Sequence, residues 1–223
     1  GLSIMQIDTI LLAFNRPEHT RCVLESLKEN EVPQVYVYLD KSYDNNIKIN
    51  QDLIKSTLDE LQDETFRLKL IERQEPHGLA GNIRAAITQR FEEGADAVVV
   101  LEDDCILRPG GYRFFYEGLN ELKDSKRVRS LCGFTPSYCS FVTDLESDVI
   151  LLSRFMTWGW ATWKDRWLQY EPNLRKLVES SNSLGIEIDE FAQDLAVFCS
   201  SDKFLDGKVD IWSINWILMH YLT

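Results

Sequence analysis

The chain has 223 residues, of which 44% are hydrophobic and 27% charged, with 24 Lys and Arg against 36 Asp and Glu. This length suffices to bury a sizeable core, and the hydrophobic content excludes a disordered chain. The formal charge of −12 argues against nucleic acid or an anionic membrane surface as the main partner, because both favour a basic face. An anionic substrate would therefore need a cation or metal ion placed at its binding site.

The predicted elements alternate between strands and helices over the first 135 residues. Short apolar runs predict strands at 7–14, 35–39, 66–71, 97–101 and 130–134. Helical apolar stripes lie between them, at 23–27, 53–61, 83–91 and 114–122. This alternation predicts an α/β fold with a mostly parallel central sheet and helices on both faces.

Polar or charged residues follow three of these strands. They are Asn15 and Arg16, Asp40, and the run Glu102, Asp103 and Asp104. Because the carboxyl ends of parallel strands share one edge of a sheet, and ligands bind there at a switch in strand order, we expect these side chains in one site.

The pattern changes from about residue 136, where the alternation of strands and helices stops. All six tryptophans lie past residue 150. The last residues form an apolar, helix-like stretch, which suggests that the natural chain continues beyond Thr223.

Cysteine usage and the lack of targeting signals predict a cytoplasmic protein. The spacing of the cysteines fits neither a zinc ribbon nor a disulfide framework, so we expect reduced thiols. The cysteines are Cys22, Cys105, Cys132, Cys139 and Cys199. No apolar run approaches the roughly 18 residues of a membrane helix, and no signal peptide is visible. We expect no integral membrane segment, and at most a peripheral position at the inner face of the membrane.

The acidic run after the fourth strand is the sharpest feature. A buried strand delivers Glu102, Asp103 and Asp104 to the ligand-binding edge, where they repel one another unless a cation is present. Carboxylate oxygens suit Mg²⁺ and Mn²⁺, and such an ion could neutralise a departing phosphate. The alternative is a solvated acidic loop.

Four segments, in this order, resemble the GT-A family of nucleotide-sugar glycosyltransferases. They are the strand and loop at 10–17, the glycine-containing helix start at 77–84, the acidic segment at 98–109 and the Phe-Met-Thr-Trp-Gly-Trp run at 155–160. The last two are also similar to N-acetylglucosaminyltransferase I, and the tryptophan run resembles bacterial family-2-like transferases of surface polysaccharides. The resemblance implies a single GT-A, Rossmann-like domain over 1–223, with a nucleotide-binding half to about residue 135 and a Trp-rich acceptor half from about 136.

The resemblance also implies an activity. A metal-dependent, inverting transferase would use Mn²⁺ or Mg²⁺ and move a sugar from a UDP-sugar to a glycan or lipid-linked acceptor, in surface polysaccharide synthesis. A catalytically impaired relic that binds nucleotide sugar or glycan is the alternative. A sugar nucleotidyltransferase would show a glycine-rich loop after the first strand, and a haloacid-dehalogenase-type phosphatase would show Asp-x-Asp there; residues 13–16 have neither.

Roles within the site follow from the same resemblance. Asp104 would ligate the metal, while Glu102 and Asp103 would contact the ribose or sugar and support the metal. Asp40 would hydrogen-bond uracil, and Arg16 would lie near the phosphates.

The helix start at 77–84 offers further candidates, each with an alternative. His77 would stack on or bond to the base, or is a neutral histidine in a turn. Arg84 would pair with Glu102 or Asp103, or is a solvated helix charge. Asn82 is interpreted as a helix-start residue.

The tryptophan run is interpreted as a sugar-binding loop. Trp158, Gly159 and Trp160 would lie beside the donor sugar, because indole faces suit the C–H groups of a pyranose. Trp163 and Trp167 are expected to pack in the core.

The catalytic base is the weak point of the resemblance. The family's carboxylate lies in a Trp-Asp-x-x-Trp pattern. Here Trp212 keeps the frame and would contact the substrate, but Ser213 stands where Asp is expected. We nominate Asp210, which would share a face with Ser213 if the segment is helical. Asp189 and Glu190 are alternatives.

Overall fold

The computed structural model describes residues 4–136 and 149–222, so Cys139 lies outside the described residues. The strands are β1 (Ile7–Ala13), β2 (Gln34–Leu39), β3 (Arg67–Glu72), β4 (Ala97–Glu102), β5 (Leu131–Cys132) and β6 (Trp160–Trp163). The longer helices are α1 (Pro17–Glu29), α2 (Asn45–Leu61), α3 (Gly78–Glu92), α4 (Gly111–Glu121), α6 (Leu174–Ser183) and α10 (Trp212–Tyr221). The short helices are α5 (Lys164–Trp167), α7 (Ile188–Phe191), α8 (Gln193–Cys199) and α9 (Asp202–Leu205). Two compact units result: residues 4–134 with 158–164, and the remaining described residues.

The strands of the first unit form one sheet in the order β3-β2-β1-β4-β6-β5. The first four run parallel, whereas β6 is antiparallel to β4 and β5 is antiparallel to β6. The predicted mostly parallel α/β sheet is therefore confirmed. The sequence analysis placed no strand in the tryptophan run, yet 160–163 forms β6, and the strand predicted at 130–134 shrinks to two residues.

Helices cover both faces of this sheet, as predicted. On one face, α1 and α2 bury Leu24, Leu27 and Ile54 against β1 and β2. On the same face, α4 packs on β5 and β6 through Phe115. Side chains that alternate with these along the central strands are buried too, beneath α3, which contacts β1 and β4. Burial on both sides explains why β4 is a continuous apolar run.

The second unit has an aromatic centre. Trp216, on α10, is fully buried and lies near Phe155, Trp167 and Tyr170, with ring centroids 5.2–6.5 Å apart. The predicted packing role of Trp167 is confirmed, and the apolar C-terminal stretch is helical, as expected. Within 4–136 and 149–222, no helix is both long and apolar enough to cross a membrane.

Candidate functional site

The carboxyl ends of β1, β2 and β4 meet at one edge of the sheet, as the sequence predicted. Ala13 lies opposite Leu39, and Leu12 lies opposite Glu102, so the residues that follow these strands are neighbours. Strand order reverses between β1 and β4, which is where ligands bind in open α/β sheets.

A cavity of about 350 Å³ opens at this edge. It is lined by Leu12, Ala13, Phe14, Asn15, Arg16, Asp40, Gly78, Leu79, Asn82, Glu102 and Asp103. The structure thus brings together four of the predicted site residues, from the ends of three strands. The sequence analysis missed the apolar walls, Phe14 and Leu79, which are 37% and 58% exposed.

An arginine and the acidic run are paired directly. Arg16 donates to both carboxylate oxygens of Asp103, through Nη2 and through Nε at 3.1 Å. A longer contact of 3.4 Å joins Arg16 Nη2 to Asp104 Oδ2. The pKa of Arg16 is raised above its usual value, chiefly because Asp103 accepts these hydrogen bonds.

The surroundings of Glu102 disfavour its charged form. Burial, followed by the charges of Asp104 and Asp103, raises its pKa to about 7, and Arg16 offsets this only in part. A carboxylate in this state favours the arrival of a further cation.

Asp40 already has protein partners. Its Oδ1 accepts from the backbone amides of Lys41 and His77, and its Oδ2 accepts from that of Gly78, all at 2.9 Å. Because α3 has no side-chain cap of its own, Asp40 satisfies the amides at the start of this helix from the end of β2. A contact with a base stays a prediction, although Asp40 does line the cavity.

The start of α3 supplies a residue that the sequence analysis misread. Asn82 is no helix-start residue: it lies in the second turn, 3% exposed, and its Oδ1 accepts from Arg73 Nε at 2.8 Å. Arg73 follows β3 as Asp40 follows β2, and this position was the available signal. The exposed His77 stays beside Asp40, with its Nδ1 2.8 Å from the carbonyl of Glu75.

Arg84 is half-buried on α3 and does not line the cavity, so its pairing with the acidic run stays a prediction.

Two tryptophans that were predicted to contact the substrate are core residues, which corrects that prediction. Trp160 is 1% exposed within β6 and Trp212 is 4% exposed on α10, so neither has a ring face to offer a sugar. Trp163 is also buried and donates to the carbonyl of Leu119, which confirms its packing role.

Trp158 is the accessible residue of the tryptophan run, whereas Gly159 is buried. Trp158 is 51% exposed and packs edge-on against Phe134 at 4.6 Å. Gly159 has φ +71° and accepts a hydrogen bond from Gly133. Neither lines the cavity, and their sugar contact stays a prediction.

Asp210 does not lie on the helix that was expected to place it beside Ser213. The helix α10 begins at Trp212, and Ile211 before it has a non-helical backbone (φ −121°, ψ 86°), so Asp210 lies outside the helix that carries Ser213. Asp210 is exposed and belongs to the second unit. Its role as base stays a prediction.

The acidic run fits a metal ion held by few protein ligands. Among residues 4–136 and 149–222, no three His, Cys, Asp or Glu side chains form a metal cage. The Asp104 side chain is 45% exposed, and Asp103 is engaged by Arg16. One accessible carboxylate suits Mg²⁺ or Mn²⁺, which keep waters and take further ligands from substrate phosphates.

No family model and no curated protein matches this sequence. Among solved structures, the mannosyltransferase PcManGT from Pyrobaculum calidifontis, in complex with GDP-Man and Mn²⁺, is similar with a TM-score of 0.52 and 16% identity. The match covers 80% of this chain but 47% of that one, so this chain spans about half of the mannosyltransferase. The fold is that of the GT-A nucleotide-sugar transferases.

A second structure is similar at a lower level. A candidate nucleotide-diphospho-sugar transferase from Desulfovibrio desulfuricans G20 covers 97% of this chain and 98% of its own, with a TM-score of 0.41 and 9% identity. The GT-A resemblance is confirmed for the fold, whereas the similarity to N-acetylglucosaminyltransferase I stays a prediction.

Proposed function

We propose that the protein is a metal-dependent, inverting glycosyltransferase that moves a sugar from a UDP-sugar to a hydroxyl acceptor. The observation that carries the proposal is the cavity at the switch point between β1 and β4, where Arg16, Asp40 and the acidic run meet. The mannosyltransferase of the same fold was solved with a nucleotide sugar and Mn²⁺, which supports this class of substrate and metal.

The transfer exchanges one bond at the anomeric carbon for another. The acceptor oxygen bonds to the anomeric carbon on the face opposite the leaving group, the bond from that carbon to the diphosphate breaks, and its electron pair leaves with UDP. The acceptor's proton passes to a carboxylate, for which Asp210 stays our nomination. A bound metal would supply positive charge beside the departing diphosphate, and Asp104 would hold it.

The proposal extends to the acceptor side. We propose that the acceptor is a glycan or a lipid-linked sugar and that residues 136–223 contribute to binding it. We also propose a cytoplasmic location and a role in surface polysaccharide synthesis.

Metal dependence is tested by thermal unfolding with UDP in Mn²⁺ and in chelator. A ligand at 100 times its dissociation constant stabilises the fold by about 2.7 kcal/mol, so the Mn²⁺ sample should melt several degrees higher. Asp104→Asn should lose this gain, whereas Asp59→Asn, which removes the same charge from the exposed face of α2, should keep it. Equal stabilisation by UDP in chelator would contradict the proposed metal.

Base preference is tested by comparing UDP with GDP, ADP and CDP in the same assay. Asp40 can accept the N3–H of uracil, so UDP should stabilise the protein most. A larger shift with GDP would replace the proposed uracil by guanine.

The second candidate is a relic that binds nucleotide sugar without turnover, which Ser213 favours. Release of UDP from a panel of UDP-sugars, with glycan acceptors present, separates the two. If the parent protein binds UDP but does not cleave any UDP-sugar to UDP, it is a non-catalytic relic.

A further inference from the structure

We infer that Asp103 is a positioning residue for Arg16, and that the pair presents a fixed cation to the diphosphate of the donor. The inference rests on the proposed function, and it assigns Asp103 a different role from that of Asp104. Asp104 would hold the metal, whereas Asp103 orients the arginine that binds phosphate without the metal.

The geometry distinguishes the two aspartates. Asp103 is 9% exposed at its side chain, and both of its oxygens accept from the guanidinium of Arg16. Asp104 is 45% exposed and lies 3.4 Å from a single nitrogen, so its contact is peripheral. A two-pronged pair with a buried carboxylate fixes the orientation of an arginine, whereas an exposed contact of this length does not.

The remaining donors of Arg16 are available. Within the described residues, its Nη1 makes no hydrogen bond, and its side chain is 43% exposed where it lines the cavity. An arginine held at one edge of its planar group presents the other edge as a preformed phosphate site.

The charges around the cavity make this cation necessary. Among the described lining residues, Arg16 is the sole Lys, Arg or His, against three acids, Asp40, Glu102 and Asp103. Asp40 also accepts from the amides of His77 and Gly78, so these two amides at the start of α3 are not open to an anion. Binding of a diphosphate here depends on Arg16 and on a metal.

The test measures dissociation constants for inorganic pyrophosphate and UDP by calorimetry, first in chelator and then in Mn²⁺. The variants are Arg16→Gln, Asp103→Asn and the double variant. Arg21→Gln and Glu60→Gln are the matched controls, because Arg21 and Glu60 form a similar two-pronged pair that does not line the cavity. Thermal unfolding of each variant checks that it is folded.

The inference predicts an effect opposite in sign to simple electrostatics. Removing a negative charge by Asp103→Asn should strengthen anion binding if the aspartate has no positioning role. We expect instead that Asp103→Asn and Arg16→Gln each weaken pyrophosphate binding in chelator by about tenfold, the contribution of a charged hydrogen bond. The double variant should bind pyrophosphate no more weakly than Arg16→Gln alone. A further variant, Arg16→Lys, keeps the charge but not the planar bidentate group, so its affinity should lie between those of the parent and Arg16→Gln.

Other results overturn the inference or the proposed function separately. Tighter or unchanged pyrophosphate binding by Asp103→Asn, or additive losses in the double variant, overturn the inference alone. Tighter Mn²⁺ binding by Arg16→Gln, with no loss of pyrophosphate affinity, shows that arginine and metal exchange on the acidic run and also overturns it. Coupled losses without any sugar transfer overturn only the proposed function, and a parent that binds neither pyrophosphate nor UDP overturns both.

Discussion

Arg16 and Asp40 are predicted to bind the sugar donor, and each side chain already forms hydrogen bonds within the protein. Arg16 pairs with Asp103, and Asp40 accepts from three backbone amides. The physical reason is burial, since an aspartate that is 6–7% exposed must be hydrogen-bonded or neutralised. A residue type at a strand end therefore indicates a site, but the partners decide what the side chain does there.

Glu102 offers a prediction about pH. Its pKa of about 7 in the fold exceeds its usual value near 4.5, so the fold favours its protonated form and loses stability as pH rises through 7. In chelator, Glu102→Gln should therefore change little at pH 4.5 and be more stable than the parent at pH 8, by on the order of 2 kcal/mol. Urea unfolding at both pH values measures this.

The control for this experiment is Glu29→Gln, an exposed glutamate at the end of α1. It should show no such gain between the two pH values. A Glu102→Gln variant that is less stable than the parent at pH 8 would mean that the carboxylate is stabilised by its neighbours rather than strained by them.

At the scale of elements, the start of α3 is stabilised by Asp40, which follows β2. Asp40→Ala removes the acceptor of three amides and should destabilise the fold by about 2 kcal/mol while also weakening UDP binding. Asp44 accepts from two amides at the start of α2, outside the cavity lining, so Asp44→Ala should cost about 1 kcal/mol and leave UDP affinity unchanged. Chemical unfolding and calorimetry on both variants make the comparison; weaker UDP binding by Asp44→Ala would contradict it.

The entry to β6 depends on a glycine. Gly159 has a left-handed backbone, and an added Cβ would lie 3.3 Å from Leu101 Cδ2. Gly185 has a similar φ with open space around it. Replacement by Ala should cost about 1 kcal/mol at Gly185 and more at Gly159. Equal losses in the free energy of unfolding, measured in urea, would show that the Leu101 side chain moves away from the added Cβ without a cost.

At the scale of the whole molecule, buried cysteines report on the opening of each compact unit. Burial raises the pKa of Cys105 to about 12 and that of Cys199 to about 11, whereas Cys22 is exposed. Because the thiolate is the reactive form, alkylation at pH 8 should modify Cys105 and Cys199 at least about a hundredfold more slowly than Cys22. Peptide mass spectrometry follows each site, and urea should abolish the protection. Labelling of Cys105 at the rate of Cys22 in native buffer would contradict its burial.

The sequence by itself determined the parallel sheet and the place of the site. A strand that is buried on both faces is apolar throughout, so a run such as 97–101 can be recognised as a strand from sequence. Parallel strands have their carboxyl ends at one edge of the sheet, which places the site. These two rules are enough to predict that Arg16, Asp40 and the acidic run share one site.

Only the tertiary structure decided how those residues pair and which tryptophans are accessible. Trp158 and Trp160 look alike in sequence, but pairing of 160–163 with β4 buries the second and leaves the first half-exposed. Likewise, Arg16 lies 87 residues from Asp103 in sequence, and no local pattern could select that partner. The physical reason is that burial and ion pairing depend on contacts distant in sequence, whereas strand and helix periodicity are local.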